Sequence, residues 1–542
     1  MPNVLRRRLI VVMNRSFRLA LLVIVAPLLA RTTGAQTFAT SDPVLRRIWT
    51  LGMDSSRTYD LAQPLLDSIG PRLTGTPQQK AGNDWLVKTY AAMGIEARNE
   101  TYGSWRGWRR GTTHIDLVAP RVRTLEGTML AWSPGTKGAV SGPVVALPAV
   151  ADQAAFARWL PGVKGKYVLV SMAQPTCRPD TTWASWATAD SYARMRTERA
   201  QATNEWTQRV LRAAGPGDST YALAARNLPA RLEKAGALGI VANLWSQGWG
   251  VDKIFNARTT NVPTLDLSCE DYGLVFRLAE HGQGPVLRVD AQSQALGEVP
   301  VYNTIAEIRG SEKPDEYVML SAHFDSWDGG SGATDNGTGT VTMLEAMRIL
   351  RQVYPHPKRT IVVGHWSGEE QGLVGSRAFA ADHPEIVKGL QALFNQDNGT
   401  GRIVNISASG LVGASGVYAG WLARIPSEIS RQFNISFPGT PAGGGSDNAS
   451  FICYGAPAFG LGSTSFDYGV YTWHTNRDTF DKIVWDDLKS NATLVAMLVY
   501  LASEDPQTVP RDRRIMPPLP NGQPQEWPGC QAPPRKSADW TR

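Results

Sequence analysis

The chain has 542 residues, 42% of them hydrophobic and 19% charged, with 52 glycines and 35 prolines. That length is too great for one ordinary core, so two domains plus appendages are expected, and the balance excludes a disordered chain. Six arginines and no Asp, Glu or Lys fall in the first 35 residues, so they account for all but one unit of the +7 formal charge. The remainder is near neutral, which leaves no electrostatic case for a nucleic-acid partner.

Arg6, Arg7 and Arg8 precede an apolar run from Leu19 to Ala30, and a small-residue site, Thr33-Gly34-Ala35, follows. This is the pattern of a secretory signal over residues 1–35. The run is shorter than the roughly 20 residues that span a bilayer. A secreted or periplasmic protein with no stable membrane span is therefore expected; a retained anchor is the other reading. Export would permit disulfides. Of Cys177, Cys269, Cys453 and Cys530, the first two fall in one segment and are the favoured pair, with free buried thiols as the alternative.

Residues 36–130 read as the first part of the main domain. Residues 41–100 read as helical: Leu86, Tyr90 and Met93 recur at i, i+4 and i+7, and Gly94 is a stop. Ser68 to Gly75 is a turn-rich loop. Residues 131–294 have a different texture and read as an insert. It holds a strand at Tyr167–Val170, an Arg/Ala-rich helical stretch over 192–235, and buried strands near 235–242 and 262–267. No cluster of catalytic residue types falls there. From residue 301 a βαβ rhythm begins: strand Tyr317–Ala322, helix Gly337–Tyr354, strand Thr360–Trp366, strand Gly389–Asn395. Alternation of this kind predicts an α/β fold with a mainly parallel central sheet flanked by helices over 295–507. Residues 508–542 are Pro-rich and read as an extended tail.

Open α/β sheets bind ligands beyond the carboxyl ends of their strands. His323, the pair Glu369 and Glu370, and Asp397 each follow one of these strands. Asp335 sits in the Gly-rich loop before the helix, and His474 lies in a later loop. Imidazole and carboxylate are donors zinc accepts. Two histidines and three carboxylates suffice for two ions when one carboxylate bridges, and such a pair acidifies a shared water. A free carboxylate beside that water would take its proton and pass it to a leaving amine. Asp325 is placed to fix the His323 imidazole, and Asp478 to do the same near His474.

The strings Ser321-Ala322-His323-Phe324-Asp325, Gly332-Ala333-Thr334-Asp335-Asn336-Gly337, Gly368-Glu369-Glu370-Gln371-Gly372, Asn395-Gln396-Asp397-Asn398-Gly399, Ser446-Asp447 and His474-Thr475-Asn476-Arg477-Asp478 carry a resemblance. In order and spacing they are similar to the co-catalytic two-zinc exopeptidases, the family of aminopeptidase Y, bacterial leucyl aminopeptidases, glutamate carboxypeptidase II and carboxypeptidase Q. The resemblance covers roughly residues 45–130 and 295–505. It implies that Asp335 bridges two zinc ions, that His323 and Asp397 complete one site and Glu370 and His474 the other, and that Glu369 is the general base. It also implies a cis Asp335–Asn336 peptide, a peptide substrate and a homodimer. Residues 131–294 resemble the β-rich protease-associated domain that some relatives insert there, in the layout of carboxypeptidase Q.

This sequence departs from the family at two places. Trp473 stands where some relatives place a tyrosine that stabilises the oxyanion, with Tyr468 or Tyr471 as substitutes. Asn448 follows Ser446-Asp447 where relatives often have histidine. Arg477 reads as a surface salt-bridge partner, with a substrate carboxylate as its alternative. The 18 tryptophans read as packing, with a cleft wall as the other reading. Aminopeptidase and carboxypeptidase activity both stay open. The rival functions are a single-zinc glutaminyl cyclase-like acyltransferase and a non-catalytic binding protein on the same fold.

Overall fold

A computed structural model describes residues 38 and 40–537, apart from 216, 220, 221, 224, 226 and 227. The expected signal segment, 1–35, lies outside the described residues. Helix α1 (Pro77–Ala92) starts where Thr76 accepts the Gln79 N–H at 3.2 Å, while the Gln79 side chain accepts the Gly75 N–H at 2.9 Å. Two otherwise orphaned donors are satisfied reciprocally, and Pro77 fits the first turn, where it has no bond to lose. Gly94, at φ +71°, ends the helix. Helix does not continue to residue 100. Strand β1 (Glu96–Ala119) begins at once and pairs antiparallel along most of its length with β7 (Val286–Ile308). That long-range partner overrides the local helical reading.

Between the two long strands lie β2 (Gly127–Met129), β3 (Val140–Ala146), β4 (Tyr167–Leu169), α2 (Ala189–Ala214), β5 (Gly239–Ala242), β6 (Thr264–Leu267) and α3 (Cys269–Glu280). Strands β3 to β6 pair in parallel, and β2 closes the edge antiparallel to β6. Among the described residues of 131–294, the segment expected to be an insert, five α-helices lie beside the short strands, where a β-rich segment was expected. Its strands are three to seven residues long, and the apolar faces of the helices cover them.

The second half supplies β8 (Lys313–His323), α4 (Thr338–Val353), β9 (Arg359–Trp366), α5 (Val374–Asp382), β10 (Leu390–Gln396), β11 (Ile403–Ser407), β12 (Asn434–Ser436), β13 (Ala458–Ser463) and α6 (Trp485–Glu504). The strand order is β12-β11-β13-β10-β8-β9-β7-β3-β4-β5-β6-β2. Neighbours β9, β8, β10 and β13 are parallel, as the βαβ rhythm predicts. Alternation along β8 assigns its faces: Val318 and Leu320 pack with Leu344 and Met347 of α4 and Leu498 of α6. Met319 points the other way, to Phe379 of α5 and Phe451. Each fully buried side chain of this size stabilises by roughly 1.5–3 kcal/mol, so both faces of the strands that end at His323 and Trp366 are held.

The tail is pinned. Cys453 is bonded to Cys530, and Trp527 donates its indole N–H to the Ile452 carbonyl at 2.9 Å. Cys177 and Cys269 form the second disulfide, the favoured pairing. No helix among the described residues is long and apolar enough to cross a membrane.

Candidate metal centre

The site forms where β8, β9 and β10 end. His323 is the last residue of β8, and Asp397 directly follows β10. Glu369 and Glu370 lie in the turn after β9, where Gly368 at φ +76° provides a bend that disfavours other residues. Asp335 is presented by the loop before α4, and the Asp335–Asn336 peptide is cis. His474 also has positive φ, +61°. The insert supports that conformation: the Ile254 N–H donates to the His474 carbonyl at 2.7 Å.

These residues make two triads that share Asp335. His323 Nε2 is 3.1 Å from Asp397 Oδ1 and 3.3 Å from Asp335 Oδ1. His474 Nε2 is 3.0 Å from Glu370 Oε2 and 3.4 Å from Asp335 Oδ2. Within each triad the donor atoms lie within 4.8 Å of one another. Asp335 thus turns one oxygen toward each group. Asp335 Oδ2 and Glu370 Oε1 are buried without hydrogen-bond partners among the described residues. Buried carboxylate oxygens left unpaired are costly, and a cation at the Asp335–Glu370–His474 triad would satisfy them. The donor set of imidazole and carboxylate fits zinc.

The electrostatics point the same way. Burial pushes the Glu370 carboxyl well above its usual range, and neighbouring Asp335 adds to the shift. Burial lowers His474 to about 4. At His323 burial acts in the same sense, but Asp397 and Glu369 overcome it and raise the imidazole. The two imidazoles of one cluster move in opposite directions because more carboxylates crowd His323 than His474.

The supporting residues differ in part from the expected ones. His323 Nδ1 lies 3.0 Å from the Asp325 backbone carbonyl, closer than the 3.7 Å to its carboxylate. The Asp325 carboxylate instead accepts the Glu369 and Glu370 N–H groups at 3.1 and 3.3 Å, tying His323 to the turn that bears both glutamates. Asp478 does not hold His474. It accepts the Thr334 and Asp335 N–H groups at 2.7 and 3.0 Å, because its loop folds back on the one that carries Asp335. Glu370 is oriented by Trp327, whose indole N–H donates to Oε2 at 2.8 Å, a role local sequence did not signal.

Arg72, from the turn-rich early loop, is fully buried. It donates to the carbonyls of Phe324, Gly70, Ser331 and Gly332 at 2.7–2.9 Å. Burial lowers its guanidinium only to about 10, so it stays charged at neutral pH. Arg72→Met takes these donors away; the Gly332 carbonyl keeps the Gly337 N–H, and the other three lose the Arg72 donor at about 1–3 kcal/mol each, offset by the desolvation the cation no longer costs. We expect a net loss of about 2–4 kcal/mol, read by urea denaturation.

A cleft of about 450 Å³ opens over the triads, lined also by Glu369, Arg377, Tyr468 and Trp473. Glu369 belongs to neither triad. Of the two candidate tyrosines, Tyr468 faces the cleft; burial holds its phenol well above the usual range, so the hydroxyl keeps its proton. The insert, which offered no catalytic cluster, still walls the centre. The Phe255 ring stands 5.0 Å from that of His474, and Lys253 lies 4.2 Å over Trp473. Trp105 and Trp108 pack into a core with Trp132 and Trp327, while Trp186 and Trp249 are exposed. Arg477 pairs with Glu126 at 3.0 Å and donates to the Gly250 carbonyl.

Residues 303–499, which carry all five donors and Glu369, match the model of peptidase family M28. Carboxypeptidase Q of Mus musculus is 23% identical over 474 residues, covering 85% of this chain and 88% of that protein. The structure of a peptidase M28 precursor from Shewanella amazonensis superposes with a TM-score of 0.62 at 23% identity, over 88% of this chain and 98% of that one. A zinc aminopeptidase from Bacillus subtilis does so with a TM-score of 0.52 at 18% identity, over 83% and 95%. The two structures share the fold, and the motifs that carry the donors lie inside the matched region. Residues 303–499 of this chain are therefore similar to peptidase family M28.

Proposed function

We propose that this protein is an exported two-zinc exopeptidase that hydrolyses terminal peptide bonds of short peptides. One observation carries the reading: Asp335 directs one carboxylate oxygen to each of two histidine-containing triads. His323, Asp335 and Asp397 would hold one ion, and Asp335, Glu370 and His474 the other. Bound there, two zinc ions supply Lewis acidity and a water acidified toward neutrality. Glu369, in the same cleft and free of both triads, takes the proton of the attacking water and returns it to the leaving nitrogen. The protonated Tyr468 hydroxyl donates to the developing oxyanion, the part Trp473 has no hydroxyl to play. Two disulfides, together with the basic and apolar start of the chain, support a location outside the reducing cytosol.

Chelator-treated protein should lose peptide hydrolysis and regain it on adding about two equivalents of zinc per chain. Full recovery at one equivalent would favour the single-zinc acyltransferase reading, and chelator-resistant hydrolysis would overturn both.

A further inference from the structure

We infer that Arg377 holds the substrate's free carboxylate, which makes the substrate class short peptides with an unblocked C-terminus. The inference rests on the peptidase reading above. Arg377 lies on α5, a few residues past the Glu369–Glu370 turn, and lines the same cleft as the two triads. It is the one Lys or Arg among the described residues that line the cleft. Its guanidinium has no hydrogen-bond or ion-pair partner among the described residues, whereas Arg477 is committed to Glu126 and Gly250.

The carboxylates of the cleft are already assigned. Asp335, Glu370 and Asp397 belong to the triads and Glu369 to proton transfer, so no further acidic side chain lines it to receive a substrate ammonium. Those four negative charges match two divalent cations, and Arg377 then leaves the cleft net positive. A planar guanidinium takes a carboxylate through two parallel hydrogen bonds.

Leu373 and Arg377 also line a second, neighbouring space of only about 10 Å³, walled by Pro528 to Gln531 and Cys453. That volume holds about one water at most. The tail that closes it is anchored by the Cys453–Cys530 disulfide.

The test compares a dipeptide with its C-terminal amide, each with free and N-acetylated amino terminus, on zinc-loaded wild type, Arg377→Met and Arg377→Lys. Wild type should prefer the free acid by about 10- to 100-fold in kcat/KM. The preference should collapse toward unity in Arg377→Met, mainly through KM, and recover in part in Arg377→Lys. An unchanged preference in Arg377→Met, or a wild type indifferent to amidation but demanding a free amine, overturns the inference. Calorimetric binding of the free dipeptide and its amide to Glu369→Gln protein gives a readout independent of turnover. If nothing is hydrolysed, the peptidase reading fails. The Arg377 assignment is then decided by whether binding favours the acid and whether adding Arg377→Met abolishes that preference.

Discussion

Replacing Glu369 by glutamine is expected to lower kcat by about 10²–10⁴-fold, the usual contribution of a positioned acid–base group, while zinc content stays at the wild-type value. The side chain stands in the cleft but outside both triads, so its loss removes no donor. The exchange keeps its volume, and the backbone N–H that ties this turn to Asp325 is untouched. Burial already holds the carboxyl well above its usual range; His323 opposes that shift, and Asp397 and Glu370 reinforce it. A carboxylate buried among other carboxylates is a stronger base than one in water. Steady-state kinetics with metal analysis on the same sample checks both halves. Turnover within about tenfold of wild type would remove Glu369 from the chemistry.

Asp335→Ala should be more damaging still. Asp335 gives an oxygen to each triad, so its loss leaves a His323–Asp397 pair and a Glu370–His474 pair, each one donor short. Bound zinc should fall from about two equivalents to near zero, and hydrolysis below that of the Glu369→Gln variant. His474→Ala should retain about one equivalent, because the other triad is complete. Zinc at about 100 times its Kd stabilises a folded protein by about 2.7 kcal/mol per site. The zinc-induced rise in Tm of wild type should therefore vanish in Asp335→Ala and persist in part in His474→Ala. Two retained ions in Asp335→Ala would end the bridging assignment.

Four of the five candidate donors that the structure brings together were legible because each is punctuated locally. His323 ends a strand, Glu370 and Asp397 follow strand ends, and glycines flank the loop of Asp335. Period-2 and βαβ patterns act over tens of residues, which is the range at which sequence is informative. The boundaries of β8, α4, β9 and β10 follow from the same signals. The helical reading of residues 96–100 failed because their partner strand begins nearly two hundred positions later.

The residue types gathered at the centre and the central α/β layering follow from the order of residues alone, since residue type and strand-end position are local properties. Tertiary structure alone decided what surrounds the centre. It sent Asp478 to the backbone of the Asp335 loop instead of to His474, and set Trp327 on Glu370. It chose Tyr468 over Tyr471, buried Arg72 against a loop some 260 positions away, and brought Phe255 of the insert onto His474. It also left Arg377, not Arg477, facing the cleft. Such contacts depend on how distant loops fold over one another, and neither periodicity nor spacing encodes them.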